Sequence, residues 1–296
     1  MPLLGEFSAL LTACCWSGSA LAFSAAAVRV GPIRLNVTRL FIAAVLLLST
    51  VVLTGAELNL SKSQLTNLAI SGLVGLVFGD TFLFKAYEYI GPRLGMLIMS
   101  AAPIVGAVVA YGALGETIGW FGILGMVVTL GGIAIVVLER RESFSLPNTY
   151  YGVGIFYGFL GAVGQGVALV LAKMAFNEGA VNGFVATLIR ITAAIVVIYP
   201  LAKFTGRYKN AVQVYLKDRK ALLLTMLGAF LGPFLGITLS LIAVMHTTVG
   251  IAATLMATVP IMMLPLVRII DHERLSWKAI AGAFLAVAGV AALFLR

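Results

Sequence analysis

The stretch GLVFGDTFLFKAYEYIGPRLGMLIMSAAPIV, residues 75–105, returns as GPFLGITLSLIAVMHTTVGIAATLMATVPIM at 232–262. One ungapped shift of 157 positions lays Gly75 on Gly232, Gly79 on Gly236, Thr81 on Thr238, Ala86 on Ala243, Met99 on Met256 and Pro103 on Pro260. The same register continues through Glu116 on Glu273, Trp120 on Trp277, Gly125 on Gly282 and Gly132 on Gly289. Glycine and alanine matches come cheaply in so biased a composition, but a shared Pro, Glu and Trp in one frame do not. A second shift, of 151, pairs Arg39 with Arg190 and Ala43 with Ala194, so the earlier part of each half corresponds as well. The chain therefore reads as a duplicated unit.

The solvent of that unit is lipid. A chain of 296 residues that is 61% hydrophobic and only 10% charged, with a mean hydropathy of +1.08, has more apolar surface than a water-soluble globule can hide. Gly, Pro and charge clusters punctuate it into ten apolar stretches, at roughly 5–27, 35–53, 64–90, 93–113, 118–138, 150–174, 180–202, 220–245, 247–267 and 276–295. Each is close to the ~20 residues a helix needs to span a bilayer. Backbone groups in lipid must be satisfied within their own segment, so all ten are expected to be helices; no alternating strand pattern competes.

The expected fold is an all-α membrane protein of ten transmembrane helices arranged as two five-helix repeats around a central cavity. Its parts are 1–138, a linker at 139–149 and 150–296. Because five is odd, the two repeats enter the membrane from opposite sides, an inverted arrangement that places substrate near the bilayer midplane. The only long polar stretches are the linker and a basic loop at 203–220. Met1–Leu4 carry no basic residue and the first apolar run is too long for a signal-peptide core, so it is read as the first span.

A net charge of +9 invites a nucleic-acid reading, but its distribution argues against one. Loops after odd-numbered spans carry fourteen Lys and Arg, from Arg29 and Arg34 to Arg274 and Lys278, against Lys62, Lys173 and Arg296 on the other face. That is the positive-inside pattern; it puts the odd-span loops in the cytoplasm and both termini outside. The setting is a multi-pass protein of the cell (inner) membrane.

The strings TRLFIAA (38–44), GDTFLFKAYEYIG (79–91), LIMSAAPIVGA (97–107) and LGETIGWFGILGMVVTLGGIAIV (114–136), with their echoes ATVPIMM and HERLSWKAIAGAFLAVAGVA, resemble the drug/metabolite transporter superfamily in its ten-helix EamA-type members. The resemblance covers essentially the whole chain. It implies two inverted five-helix repeats and the export or exchange of small metabolites such as amino acids, sugars or nucleotide-linked compounds. It also implies cytoplasmic termini, the reverse of what the charges indicate.

Charges inside the spans carry the sharpest functional signal, since an ionised group at that depth needs a partner or a water-filled path. Arg190 lies near the middle of the seventh span and Asp80 in the third, with Lys85 and Glu88 further along. One reading is a fixed salt bridge of Asp80 with Arg39, Lys85 or Arg190. The other makes Arg190 the anchor of an anionic or zwitterionic substrate, with Asp80 or Glu88 exchanging protons. Trp16, Ser17, Ser19, Gln165, Asn182, Thr187, Thr254 and Thr258 are candidate cavity side chains, with Trp16, Ser19, Gln165, Arg190 and Thr254 the substrate-binding set. Gly79, Pro103, Gly236 and Pro260 are the candidate repeat hinges. Glycines three and four apart suit close helix packing in lipid, and Trp120 and Trp277 suit interface anchoring. Cys14 and Cys15, adjacent in one span, read as small apolar filler.

No H-E-x-x-H, Cys cluster, G-x-S-x-G or Walker-type loop occurs, so no catalytic residue, metal or cofactor is expected. The expected partners are a small-molecule substrate, the lipid bilayer and, compatibly, a second copy in a homodimer; nucleic acid is not among them. Three functions remain: a secondary active exporter or exchanger of a small metabolite, proton-coupled or passive; a flippase or exchanger of lipid-linked or nucleotide-linked sugars; and a membrane-embedded enzyme or sensor.

Overall fold

A computed structural model describes residues 3–115, 119–143, 148–246, 255–270 and 276–294. All regular structure among them is helical. The helices are α1 Leu4–Val30, α2 Pro32–Thr54, α3 Lys62–Gly72, α4 Asp80–Met99, α5 Ala102–Leu114, α6 Trp120–Ser143 and α7 Asn148–Asn177. There follow α8 Gly183–Phe204, α9 Ala211–Lys217, α10 Arg219–Ala229, α11 Ile237–His246, α12 Val259–Ile270 and α13 Trp277–Phe294. Two π-helical turns, Leu73–Gly79 and Phe230–Gly236, run α3 into α4 and α10 into α11.

Helix ends follow local chemistry. Ser61 and Gln64 close a reciprocal capping box at the start of α3, which satisfies two backbone donors at once. Asn182 accepts from the Phe184 and Val185 amides to start α8, and Asp218 accepts from the Ala221 amide to start α10. Gly91, at φ 73° and ψ 170°, breaks α4 just before Pro92, a backbone setting that a side chain would strain. The third and fourth apolar stretches therefore part at Gly91, inside what is otherwise one long helix.

Among the described residues, six helices are long and apolar enough to cross a membrane, and four shorter apolar helices accompany them. Side chains such as Leu53, Phe204, Trp120 and Trp277 stand exposed on the outer surface, a cost only lipid removes. The fourth stretch divides further where α4 stops at Met99 and α5 restarts at Ala102, just before Pro103. The loop expected at 203–220 contains the short helix α9.

Packing shows a regular exchange between the two halves of the chain. Helix α7 lies along α3, the first π-turn, α4 and α5, whereas α1 lies along α10, the second π-turn, α11 and α12. Helix α8 packs on α3 and the first π-turn, and α2 on α10 and the second. Helices α6 and α13 pair with each other along glycines: a Cβ on Gly132 would sit 2.5 Å from the Ala286 amide, and one on Gly289 2.4 Å from Thr129. In lipid such close approach replaces the hydrophobic drive.

Candidate functional site

The two π-turns organise the centre. A π-turn widens the helix by one residue and is a frequent companion of functional sites. In the first, the Asp80 amide reaches back to the Gly75 carbonyl, and two side chains from neighbouring helices bind exposed carbonyls. Gln165 Nε2 of α7 donates to Gly75 O at 3.2 Å, and Asn36 Nδ2 of α2 donates to Leu76 O at 2.9 Å.

Asp80 starts α4 at the end of that turn, 7% exposed. Arg39 Nη2 donates to its Oδ2, and Gln165 Nε2 donates to its Oδ1 at 2.7 Å. Arg39 is held in turn: its Nε donates to Asn36 Oδ1 at 2.9 Å, and its guanidinium lies 4.7 Å from the Phe84 ring centroid and 5.3 Å from that of Phe23. Arg39 Nε and Nη2 and both carboxylate oxygens of Asp80 thus have partners within the protein, which is what makes a buried ion pair tolerable.

Arg190 is different. The α8 backbone at Arg190 comes so close to α3 that a Cβ on Gly72 would sit 2.2 Å from the Arg190 carbonyl oxygen. Its side chain then passes over Gly75, where a Cβ would lie 3.4 Å from Nη2. The residue is 8% exposed. Its Nε is buried without an acceptor, and among the described residues it forms no ion pair.

These groups line a central cavity of about 230 Å³ whose walls are mostly apolar. Trp16, Ser19 and Phe23 of α1, Leu83, Phe84 and Tyr87 of α4, and Leu241 of α11 face it alongside Arg39, Asp80, Gln165 and Arg190. Phe23, Phe84 and Tyr87 of its wall pack in one cluster with Met263 and Val267 of α12 and Tyr215 of α9.

A family model described as EamA-like transporter family matches residues 3–138 and again 152–295. The chain belongs to that family. It is thus a multi-pass membrane transporter. No curated protein matches it significantly in sequence. A solved crystal structure aligns with it at a TM-score of 0.67 and 18% identity, covering 97% of this chain and 94% of that one. At that identity the likeness shows the fold alone.

Of the residues singled out in the sequence of this EamA-like transporter, Trp16, Ser19, Asp80, Pro103, Gln165, Arg190 and Pro260 line the cavity. Gly79 and Gly236 lie behind its wall: a Cβ on Gly79 would meet Gly161 O and Gln165 N at 3.4 Å, and one on Gly236 would meet Trp16 Nε1 at 2.5 Å. Thr254 lies outside the described residues. Glu88 is not in this cavity; it lines a separate cleft with Arg34, Lys85 and Arg207. Lys85 sits 5.1 Å from the Tyr157 ring centroid and 5.2 Å from that of Phe82.

Other polar candidates serve the backbone. Asn182 caps α8, Thr187 donates to Gly183 O, Thr258 to Leu255 O, and Ser17 to Ala13 O and Val259 O. Cys14 and Cys15 carry free thiols. The aromatic wall of Phe23, Phe84 and Tyr87 was missed in the sequence, because an aromatic in a membrane helix looks the same facing lipid or cavity. Asn36, a buried amide in a span one turn before Arg39, was the overlooked signal.

Proposed function

We propose that the chain is a secondary transporter that carries a small metabolite by alternating access between two inverted five-helix repeats, residues 1–138 and 150–296, joined at 139–149 and together making ten spans. One observation carries this reading. The cavity is lined by residues 76, 80, 83, 84, 99, 100, 102 and 103 and also by 233, 237, 240, 241, 256, 257, 259 and 260, two sets 157 positions apart throughout. Arg39 and Arg190, related by the other shift, line it as well. The two π-turns keep the same spacing. A cavity shared in this way by equivalent faces is what rocking of one repeat against the other around a midplane site requires.

Substrate binds between Trp16 and Arg190, with Arg190 as its polar anchor. Asp80 orients Arg39 and Gln165 and holds the two halves in register, so its role is positional. The cytoplasmic side is the one bearing the basic loops, with both termini outside, and the membrane is the cell membrane.

The test is side-specific cysteine labelling. In a background with Cys14→Ala and Cys15→Ala, Ser19→Cys and Ser240→Cys should each react with an impermeant maleimide from either side of sealed vesicles, in proportions that a transported solute shifts. Reaction from one side only, unchanged under every solute gradient, would exclude alternating access through this cavity. Labels at positions 2 and 295 reacting only from the cytoplasmic side would reverse the assigned orientation.

A further inference from the structure

We infer that the central cavity is selective for a monoanion, a carboxylate on an apolar body about the size of one aromatic ring, over the zwitterion of the same shape. The inference rests on the cavity being the transported substrate's site.

The charge inventory decides the sign. Among the described residues, the cavity is lined by two cations, Arg39 and Arg190, and one anion, Asp80. Arg39 and Asp80 neutralise each other, and the second carboxylate oxygen of Asp80 is taken by Gln165. One positive charge is left over, and it is Arg190, with its Nε lacking an acceptor. An ammonium group entering here would have to share Asp80, the one carboxylate among the described lining residues, whose two oxygens already accept from Arg39 and Gln165, since Glu88 lies in another cleft. A carboxylate would find a guanidinium, whose planar fork suits it in two-pronged contact.

The duplication shows why the charge is unmatched. Arg39 and Arg190 are equivalent, and Asp80 is the partner of the first. The position equivalent to Asp80 is Ile237, which also lines the cavity. The second half keeps the arginine and lacks its acid. A buried cation without a partner is expensive in lipid, so a transporter that retains one gains from a substrate that supplies the missing anion.

Volume and lining decide the rest. A cavity of about 150 Å³ lined by apolar side chains admits benzene; this one, at about 230 Å³, has room for a ring and a short carboxylated arm. Trp16, Phe23, Leu83, Phe84 and Met99 supply apolar wall for the body.

Four probes of matched shape separate the charge states: phenylpropanoate, its neutral amide phenylpropanamide, zwitterionic phenylalanine and cationic phenylethylamine. Binding to the full chain in lipid nanodiscs at pH 7 should favour the acid by about tenfold or more over each of the others. Arg190→Gln should erase the preference of acid over amide, and Arg190→Lys should reduce it while keeping its direction. Equal binding of phenylalanine or the amide to the unaltered protein would overturn the inference, whatever the variants do. So would binding of none of the four, or a preference that survives Arg190→Gln unchanged. Cysteine labelling reports separately on the transporter itself. If cavity cysteines respond from both sides while the acid has no advantage, only the substrate class falls; if labelling is confined to one side, alternating access falls.

Discussion

Two arginines at equivalent positions of a duplicated chain have come to opposite fates. Arg39 is fully engaged: a carboxylate on one side, an amide on another and aromatic rings beside it. Arg190, 151 positions on, faces Gly75 and the cavity with an unsatisfied Nε, and Ile237 stands where its acid would be. The pair teaches how duplication makes a specific site without new architecture. One half holds a closed electrostatic unit, Arg39 with Asp80; the other has the arginine with Ile237 in the acid's place, and that is the charge the proposed ligand would meet.

The largest test of this comparison is to break each arginine in turn. Arg39→Ala strands Asp80 in the interior, and removing one member of a buried pair costs about 3–5 kcal/mol. It should sharply lower the thermal midpoint of the purified protein. Arg190→Met removes a charge that forms no ion pair among the described residues and should leave stability unchanged or raised while abolishing ligand binding. Arg39→Met with Asp80→Met should be less destabilised than the sum of the single changes, because neither charge is left alone. Equal losses from Arg39→Ala and Arg190→Met would erase the distinction.

Installing the missing acid sharpens the same point. Ile237→Asp gives Arg190 the partner that Arg39 already has and should weaken anion binding by about 10- to 100-fold, some 1.4–2.8 kcal/mol, measured by titration in nanodiscs. Undiminished binding in that variant would show that Ile237 does not occupy the role the repeat assigns to it.

A third comparison concerns backbones. Gly72 corresponds to Ala229 in the second half. A Cβ at Gly72 would stand 2.2 Å from the Arg190 carbonyl oxygen, whereas Ala229 already carries one and is fully buried. Gly72→Ala should therefore cost about 1–3 kcal/mol by overpacking and displace Arg190, read as a lower midpoint with weakened binding. Ala229→Gly should leave binding intact.

The smallest effect is expected at the basic loops, where Arg29 Nε of α1 meets Asp218 Oδ2 of the second half at 2.7 Å. The hydrogen bond from Arg29, with that from the Ala221 amide, holds the Asp218 carboxyl below its usual range. A carboxyl lowered in the folded state contributes above its unfolded value, and that contribution disappears as pH falls through the folded one. Hence nothing should change between pH 6 and 8, and the bridge should weaken only in strong acid or high salt, since exposed pairs are weak and screened. Asp218→Asn should speed labelling of a cysteine at position 23 from the basic face only slightly; a large change would make this bridge a principal gate.

Much of this was legible in one dimension. The hydropathy pattern found helices with boundaries within a few residues, 35–53 against Pro32–Thr54 and 276–295 against Trp277–Phe294, whereas the stretch read at 93–113 is divided between α4 and α5. Sequence could also single out Arg190, Asp80, Trp16 and Gln165, because charged groups, amides and tryptophan in mid-span are rare enough to stand out. It could disfavour Lys85, which the i,i+5 spacing puts on another helix face, but could not choose between Arg39 and Arg190 as the partner of Asp80, since both are cations within reach of some helix arrangement.

What the sequence determined by itself was the lipid setting, the helical class and the register of duplication. These depend on composition and on spacing along one chain, and both are local properties that survive any packing. What only the tertiary structure decided was which charges meet. Asp80 found Arg39 and Gln165 because α2, α4 and α7 converge on a π-turn, and Glu88, two turns further on, fell into another cleft. Coulomb energy depends on distance in space, and positions 39, 80, 165 and 190 have no fixed distance until the helices pack.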